Sequence, residues 1–180
     1  MFLLEIIIPT RRVTFNKEQL HNWINGDREY CIDSYCKKLP GSSGFGEYIA
    51  GQLYESLNYQ WIHHDFNLLG GNKLGKYPLA EAVLRSHFGD ARFESGRGYY
   101  PSFSQFVKAE EPDLLIYKPD FSEIRFAECK RLDTHDKLRE SQIRGLALLK
   151  LLFNCTVEVI EIVDESKTQL NEPQPVLWQF

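Results

Sequence analysis

The chain has 180 residues, 43 % hydrophobic and 26 % charged, with a formal net charge of −4. This is the composition of an ordinary globular domain, and it excludes a disordered tail, a collagen-like fibre and a uniformly basic nucleic-acid coat. The charge is uneven, however: residues 124–150 hold seven Lys/Arg against four Asp/Glu, whereas residues 109–123 hold one against five, and local charge decides what binds where.

The opening run Phe2-Leu-Leu-Glu-Ile-Ile-Ile8 reads as a strand. It is too short to span a membrane, and with Glu5 and no basic flank it does not resemble a cleavable leader. Asn16 with Gln19 forms a capping box for a short helix through Leu20, Trp23 and Ile24, stopped at Gly26-Asp27. Cys31-x4-Cys36 has no second CxxC or spaced His pair. Together with Cys129 and Cys155 it indicates reduced thiols in a cytoplasmic protein rather than a zinc site or a bridge.

Pro40-Gly-Ser-Ser-Gly44 is loop, with Ser42 or Ser43 placed to cap a helix over about 45–57. Ile49, Ala50, Leu53 and Leu57 share one face of that helix, and Glu47 sits in its first turn. Residues 61–69 are extended. Within them adjacent strand residues point to opposite faces, so one cation does not readily take both His63 and His64. Gly70 to Lys76 has the G-x4-G-K spacing of a phosphate loop, but Tyr77 stands where Ser or Thr is needed, so a basic turn is the better reading. Pro78 opens a helix to about His87. Residues 89–108 form an excursion whose Phe93, Tyr99, Tyr100, Phe103 and Phe106 suit a small core of their own.

Asp113-Leu-Leu-Ile-Tyr117 and Ile124 to Arg131 read as two strands joined by a turn at Pro119-Asp120. A hairpin folded about the midpoint of Asp120 and Phe121 pairs residue i with residue 241 − i, which sets Asp113 opposite Glu128. Like charges so placed repel, and a divalent cation is the simplest reason to keep them. Lys130 shares the face of Glu128 by the two-residue period. A helix over about 135–153, capped by Asp133 or Thr134, follows. Its row Leu138, Gln142, Leu146, Leu149 contains one polar member, and an unpartnered buried amide costs roughly 1–3 kcal/mol. Aiming Gln142 at the top of the sheet, near Lys130 or a phosphate, removes that penalty. Cys155 to Val163 is a strand, and Val176 to Phe180 docks back after a polar tail.

Glu47 on a helix, Pro112-Asp113 on a strand, Glu128-Cys129-Lys130 on the next and Gln142 on the following helix resemble the PD-(D/E)XK nuclease superfamily. Residues 112–163 are most similar to its virus-type replication-repair (VRR-NUC) branch. The resemblance implies an α/β fold, a restriction-endonuclease-like mixed sheet flanked by helices with an αβββαβ core. It divides the chain into an N-terminal extension (1–40), an insertion (58–108), the catalytic motifs (109–163) and a tail (164–180). It implies a Mg²⁺- or Mn²⁺-dependent deoxyribonuclease acting on duplex or branched DNA, in repair or as an antibacterial effector with an immunity protein. Catalysis would fall to Glu47, Asp113, Glu128, Lys130 and Gln142. Metal would be held by Asp113, Glu128, the Cys129 carbonyl and Glu47. Arg92, Arg97, Lys108, Arg131, Lys137, Arg139 and Arg144 are the candidates for phosphate contact. The chain departs from the branch in having Glu111 in place of Gly before Pro112, and in 65 residues between Glu47 and Asp113, which makes Glu55 and Glu94 rivals for the helix-borne acid. The alternative reading is a non-catalytic nucleic-acid-binding or protein-interaction module.

Overall fold

The computed structural model describes residues 5–64, 66, 68, 73–104, 106–167 and 170–179. In chain order its elements are β1 (Glu5–Ile8), β2 (Thr10–Phe15), α1 (Lys17–Ile24), α2 (Phe45–Ser56), β3 (Gln60–His63), α3 (Pro78–Phe88), α4 (Asp90–Ser104), β4 (Leu114–Tyr117), β5 (Ile124–Arg131), α5 (Glu140–Phe153), β6 (Thr156–Asp164) and β7 (Val176–Gln179). Short 3₁₀ turns cover Cys36–Lys38 and Leu132–Thr134. A five-stranded mixed sheet runs β2-β6-β5-β4-β3, and β1 pairs with β7 in a separate two-stranded ribbon. Among the described residues no helix is long and apolar enough to cross a membrane.

The hairpin has the expected register: Leu114 faces Ala127 and Tyr117 faces Ile124. Its turn closes through Lys118 N–H to the Glu123 carbonyl (2.9 Å) and Phe121 N–H to the Lys118 carbonyl (2.8 Å). β6 lies parallel to β5 on one side and to β2 on the other. Helices cover both faces. α2 packs Phe45, Ile49, Ala50 and Tyr54 against Leu114, Ile116, Ala127 and Ile160, while α3, α4 and α5 pack Val83, Leu84, Phe93, Leu146 and Phe153 against Leu115, Phe126 and Val157. Alternation along β5 thus sends Phe126, Glu128 and Lys130 toward α5, and Ala127 and Cys129 toward α2.

Several expectations change. β2 is absent from the sequence reading, because Thr-Arg-Arg-Val-Thr-Phe is mostly polar, as suits an edge strand. Residues 90–104 are a helix despite Gly96, Gly98 and Pro101. Phe93 is buried and Tyr100 is half-buried, but Tyr99, Phe103 and Phe106 are exposed, so the excursion has no aromatic core of its own. Neither Ser42 nor Ser43 caps α2; Gly44 does, with φ +77°. The buried face of α2 runs through Phe45, Ile49, Ala50 and Tyr54, leaving Leu57 exposed, and Ile24 of α1 is exposed too. α5 starts at Glu140, because His135 takes a left-handed φ of +59° and breaks the helix predicted from 135. The capping box of Asn16 and Gln19 forms, and β7 docks on β1. Residues 70–72 of the glycine-rich turn, and 65, 67 and 69 of the extended run before it, lie outside the described residues.

Two local devices hold the loops that carry the site. The buried Arg28 guanidinium donates to the carbonyls of Trp23 (3.0 Å), Lys37, Leu39 and Gly41 (2.7 Å), fixing the loop that leads into α2. Asp33 accepts from the Cys36 N–H (2.7 Å) and the His63 N–H (3.1 Å), tying that loop to the end of β3. All four cysteines are free and buried.

Gly145 lets α5 press on the segment that leads into Asp113: a Cβ there would stand 1.8 Å from the Glu110 carbonyl oxygen. Gly145→Ala is expected to destabilise the fold by about 1–3 kcal/mol through overpacking, read as a lower urea midpoint at an unchanged slope.

Candidate functional site

β4 begins at Leu114, so Asp113 lies just beyond the end of the strand, and the register carries it opposite Glu128. Asp113 is aimed by a hydrogen bond from the Cys129 N–H to Oδ2, 2.8 Å long. Glu128 is fully buried. Its Oε1 accepts from Lys130 Nζ at 2.8 Å and from Gln142 Nε2 at 2.5 Å, while its Oε2 has no partner. The Gln142 amide is held at its other end, where Oε1 accepts from the Arg139 N–H at 3.0 Å. The polar member of the apolar row is therefore satisfied by Glu128, beside Lys130.

Glu47 arrives from α2, in the layer on the other face of the sheet, and meets the group past the end of β4. Its carboxyl is pushed up to about 7, first by burial and then by Asp113, with His64 and Lys130 opposing. Neither rival acid reaches this point: Glu55 accepts from Trp61 Nε1 at 2.7 Å, and Glu94 pairs with Arg85 at 2.5 Å. Burial and then Asp113 raise Glu128 well above the usual carboxylate range, against the pull of Lys130. Burial alone would depress Lys130, but Glu128, Asp113 and Asp136 hold it above its ordinary value, so it is a firm ammonium. Cys129 sends its thiol to the α2 side, where burial and then the surrounding acids keep it protonated.

A carboxyl whose folded pKa of about 7 exceeds its ordinary 4.5 weakens the fold as pH rises between those values. Below 4.5 both folded and unfolded chains hold the proton and nothing is lost. Above 7 the whole penalty is present, about 3 kcal/mol. Glu47→Gln is therefore expected to be more stable than the parent at pH 8 without metal, with the difference closing toward pH 4.5 in urea unfolding.

Two imidazoles also converge on the acids. β3 ends at His63, and His64 takes a φ of +55°, which folds it back beside its neighbour with ring centroids 4.2 Å apart. Alternation ends with the strand, so the two rings lie side by side, yet each is turned to a different acceptor. His63 Nδ1 is 3.0 Å from the Asp113 main-chain oxygen and His64 Nε2 is 3.6 Å from Asp113 Oδ1. A cavity of about 390 Å³ opens over Glu47, His63, His64, Cys129 and Asp136.

The seven basic candidates separate. Arg131 is spent on Asp133 (2.5 Å) and on the Ser42 carbonyl, packed over Phe45. Arg144 donates to the Lys108 carbonyl and to Glu140 and lies over Trp178. Arg92 and Arg97 belong to α4, whose Gly96 abuts Phe153 at the far end of α5 from Gln142. Lys108, Lys137 and Arg139 are exposed near the start of α5, the first and last of them ion-paired to Glu110.

Among the described residues, no three His, Cys, Asp or Glu side chains form a ready-made metal cage. Two carboxylates and a main-chain carbonyl nevertheless suit Mg²⁺, which keeps several waters and takes few protein ligands. A divalent ion between Asp113 and Glu128 would partner the buried Glu128 Oε2 and offset the repulsion that Asp113 exerts on Glu128 and on Glu47. The chain matches no protein-family model, no curated protein and no solved structure.

Proposed function

We propose that this chain is a metal-dependent DNA nuclease of the PD-(D/E)XK type, built on a restriction-endonuclease-like core of α2, β3, β4, β5, α5 and β6. The observation that carries the reading is the convergence of Glu47, Asp113 and Glu128, from three elements, around one ammonium, with Glu128 Oε2 buried and unpartnered. Asp113, Glu128 and the Cys129 carbonyl would hold Mg²⁺ or Mn²⁺, and Glu47 would complete the set or position water. When bound, such an ion supplies a water of lowered pKa and neutralises charge on a phosphoryl group.

The remaining work falls to the chain's own groups. Lys130, kept protonated by its acids, stabilises negative charge gathering on the phosphate and orients the attacking water. Gln142 locks the Glu128 carboxylate in one orientation through the α5 N-terminus. Lys108, Lys137 and Arg139 offer phosphate contacts along the rim.

Supercoiled plasmid is expected to be nicked or linearised by the purified chain with Mg²⁺ or Mn²⁺ and to stay intact in EDTA, with duplex or branched DNA cut faster than RNA. Plasmid that is bound yet intact with every metal would move the chain to the non-catalytic module. RNA cut as fast as DNA would reject the substrate assignment.

A further inference from the structure

His63 is only 2 % exposed, and one of its two nitrogens is committed. Nδ1 lies 3.0 Å from the main-chain oxygen of Asp113. A carbonyl only accepts, so the Nδ1 proton is given to Asp113 and Nε2 is turned the other way. What Nε2 faces is the Glu47 carboxylate, with Oε1 at 4.0 Å. That is too long for a hydrogen bond. Two donor atoms thus look at each other across a gap on the wall of the cavity.

A ring that gives its far N–H to a backbone carbonyl, and is thereby fixed in tautomer and direction, has the bearing of a metal-ligating histidine. The spacing agrees, since two metal–ligand bonds of about 2.1 Å put their donors about 3.0 Å apart at a right angle and about 4.2 Å apart when opposed. His64 does not compete for this place. Its Nε2 stands against Asp113 Oδ1 instead, so the two imidazoles divide between the two acids.

We propose that His63 Nε2 and Glu47 Oε1 form a second cation position, beside the Asp113–Glu128 pair, that takes a divalent transition ion such as Mn²⁺ in preference to Mg²⁺. The preference follows from the donors: Mg²⁺ is held by oxygen and keeps its waters, so an imidazole nitrogen favours a first-row transition ion over it, Mn²⁺ being the weakest binder of that series and Zn²⁺ or Ni²⁺ stronger. With two side-chain donors the rest of the coordination sphere is water. This deepens the metal-dependent reading of the cleft and rests on it only for the effect on cutting.

The test uses Mn²⁺ and the full chain without nucleic acid. Electron spin-echo modulation is expected to show one directly bonded imidazole nitrogen, retained in His87→Gln and lost in His63→Gln. His63→Gln is expected to weaken Mn²⁺ binding by at least about tenfold and to leave Mg²⁺ binding nearly unchanged. Should His63→Gln fold poorly, Glu47→Gln keeps the imidazole and removes its partner, and a comparable loss of Mn²⁺ affinity is expected there. Mn²⁺ bound through oxygen alone in the parent, or a nitrogen signal that survives His63→Gln, overturns the proposal. Plasmid cutting in Mg²⁺ without any nitrogen signal in Mn²⁺ overturns the second position alone. A nitrogen signal from a chain that cuts nothing supports the position while the nuclease reading falls.

Discussion

Asp113→Asn is expected to abolish metal-dependent cleavage while making the metal-free chain more stable. The two effects have one cause. Asp113 raises the proton affinity of both Glu47 and Glu128, which marks it as the charge the other two acids are held against. An asparagine keeps the acceptor for the Cys129 N–H, now met at 2.8 Å, so the local backbone has no reason to move. Removing the charge relieves a repulsion of roughly 1–3 kcal/mol at an effective dielectric near 20. It also removes a metal ligand, and activity should fall by at least about 10²–10³-fold, the scale on which loss of one group stabilising developing charge is felt. Plasmid nicking and urea unfolding on the same preparation check both halves. A variant that loses activity and stability together would mean that the acids support the fold and do not gather around a cation.

Lys130→Met is expected to be the most destabilising single change in the cleft, at about 3–5 kcal/mol, because it strips the partner from a buried carboxylate. Glu128 is fully buried, and Lys130 is one of two donors to its Oε1. With the ammonium gone, Gln142 alone faces a carboxylate whose second oxygen has no hydrogen bond. Adding Glu128→Gln removes the stranded charge, and the double variant should recover most of the loss. A cycle in which the two changes simply add would show that the pair is not coupled. The same logic predicts that Mg²⁺ restores more stability to Lys130→Met than to the parent, since a cation then stands in for the missing positive charge.

Features with local determinants are legible in the sequence, and those set by distant packing are not. The hairpin register was legible because Pro119-Asp120 marks the turn and the strands on either side of it are mostly apolar up to the acids, Arg125 apart. Gln142 was legible as a polar residue in an apolar row, and it is buried on Glu128. Glu47 was named with two rivals, and only three-dimensional packing separated them. β2 was hidden because its partner β6 lies about 150 residues away and an edge strand needs no apolar alternation. α4 was hidden because propensity argues against a helix containing two glycines and a proline, whereas packing favours it, with Gly96 admitting Phe153 at closest approach. Arg131 looked free for phosphate, yet Asp133 two residues on takes it. The joint approach of His63 and His64 depended on one left-handed residue after a strand end, which alternation does not anticipate.

The order of the large sheet has a consequence for assembly. Among the described residues β6 is the one strand that pairs with β2 in that sheet, and it also flanks β5, so an early-made strand waits for residues 156–164. The ribbon is later still, joining residues 174 positions apart through Gln179 and Glu5. Closing such long loops ahead of their contacts makes folding slow. A growing chain therefore carries every acid of the cleft before it has β6, the strand that joins the two sides of the sheet aligning them.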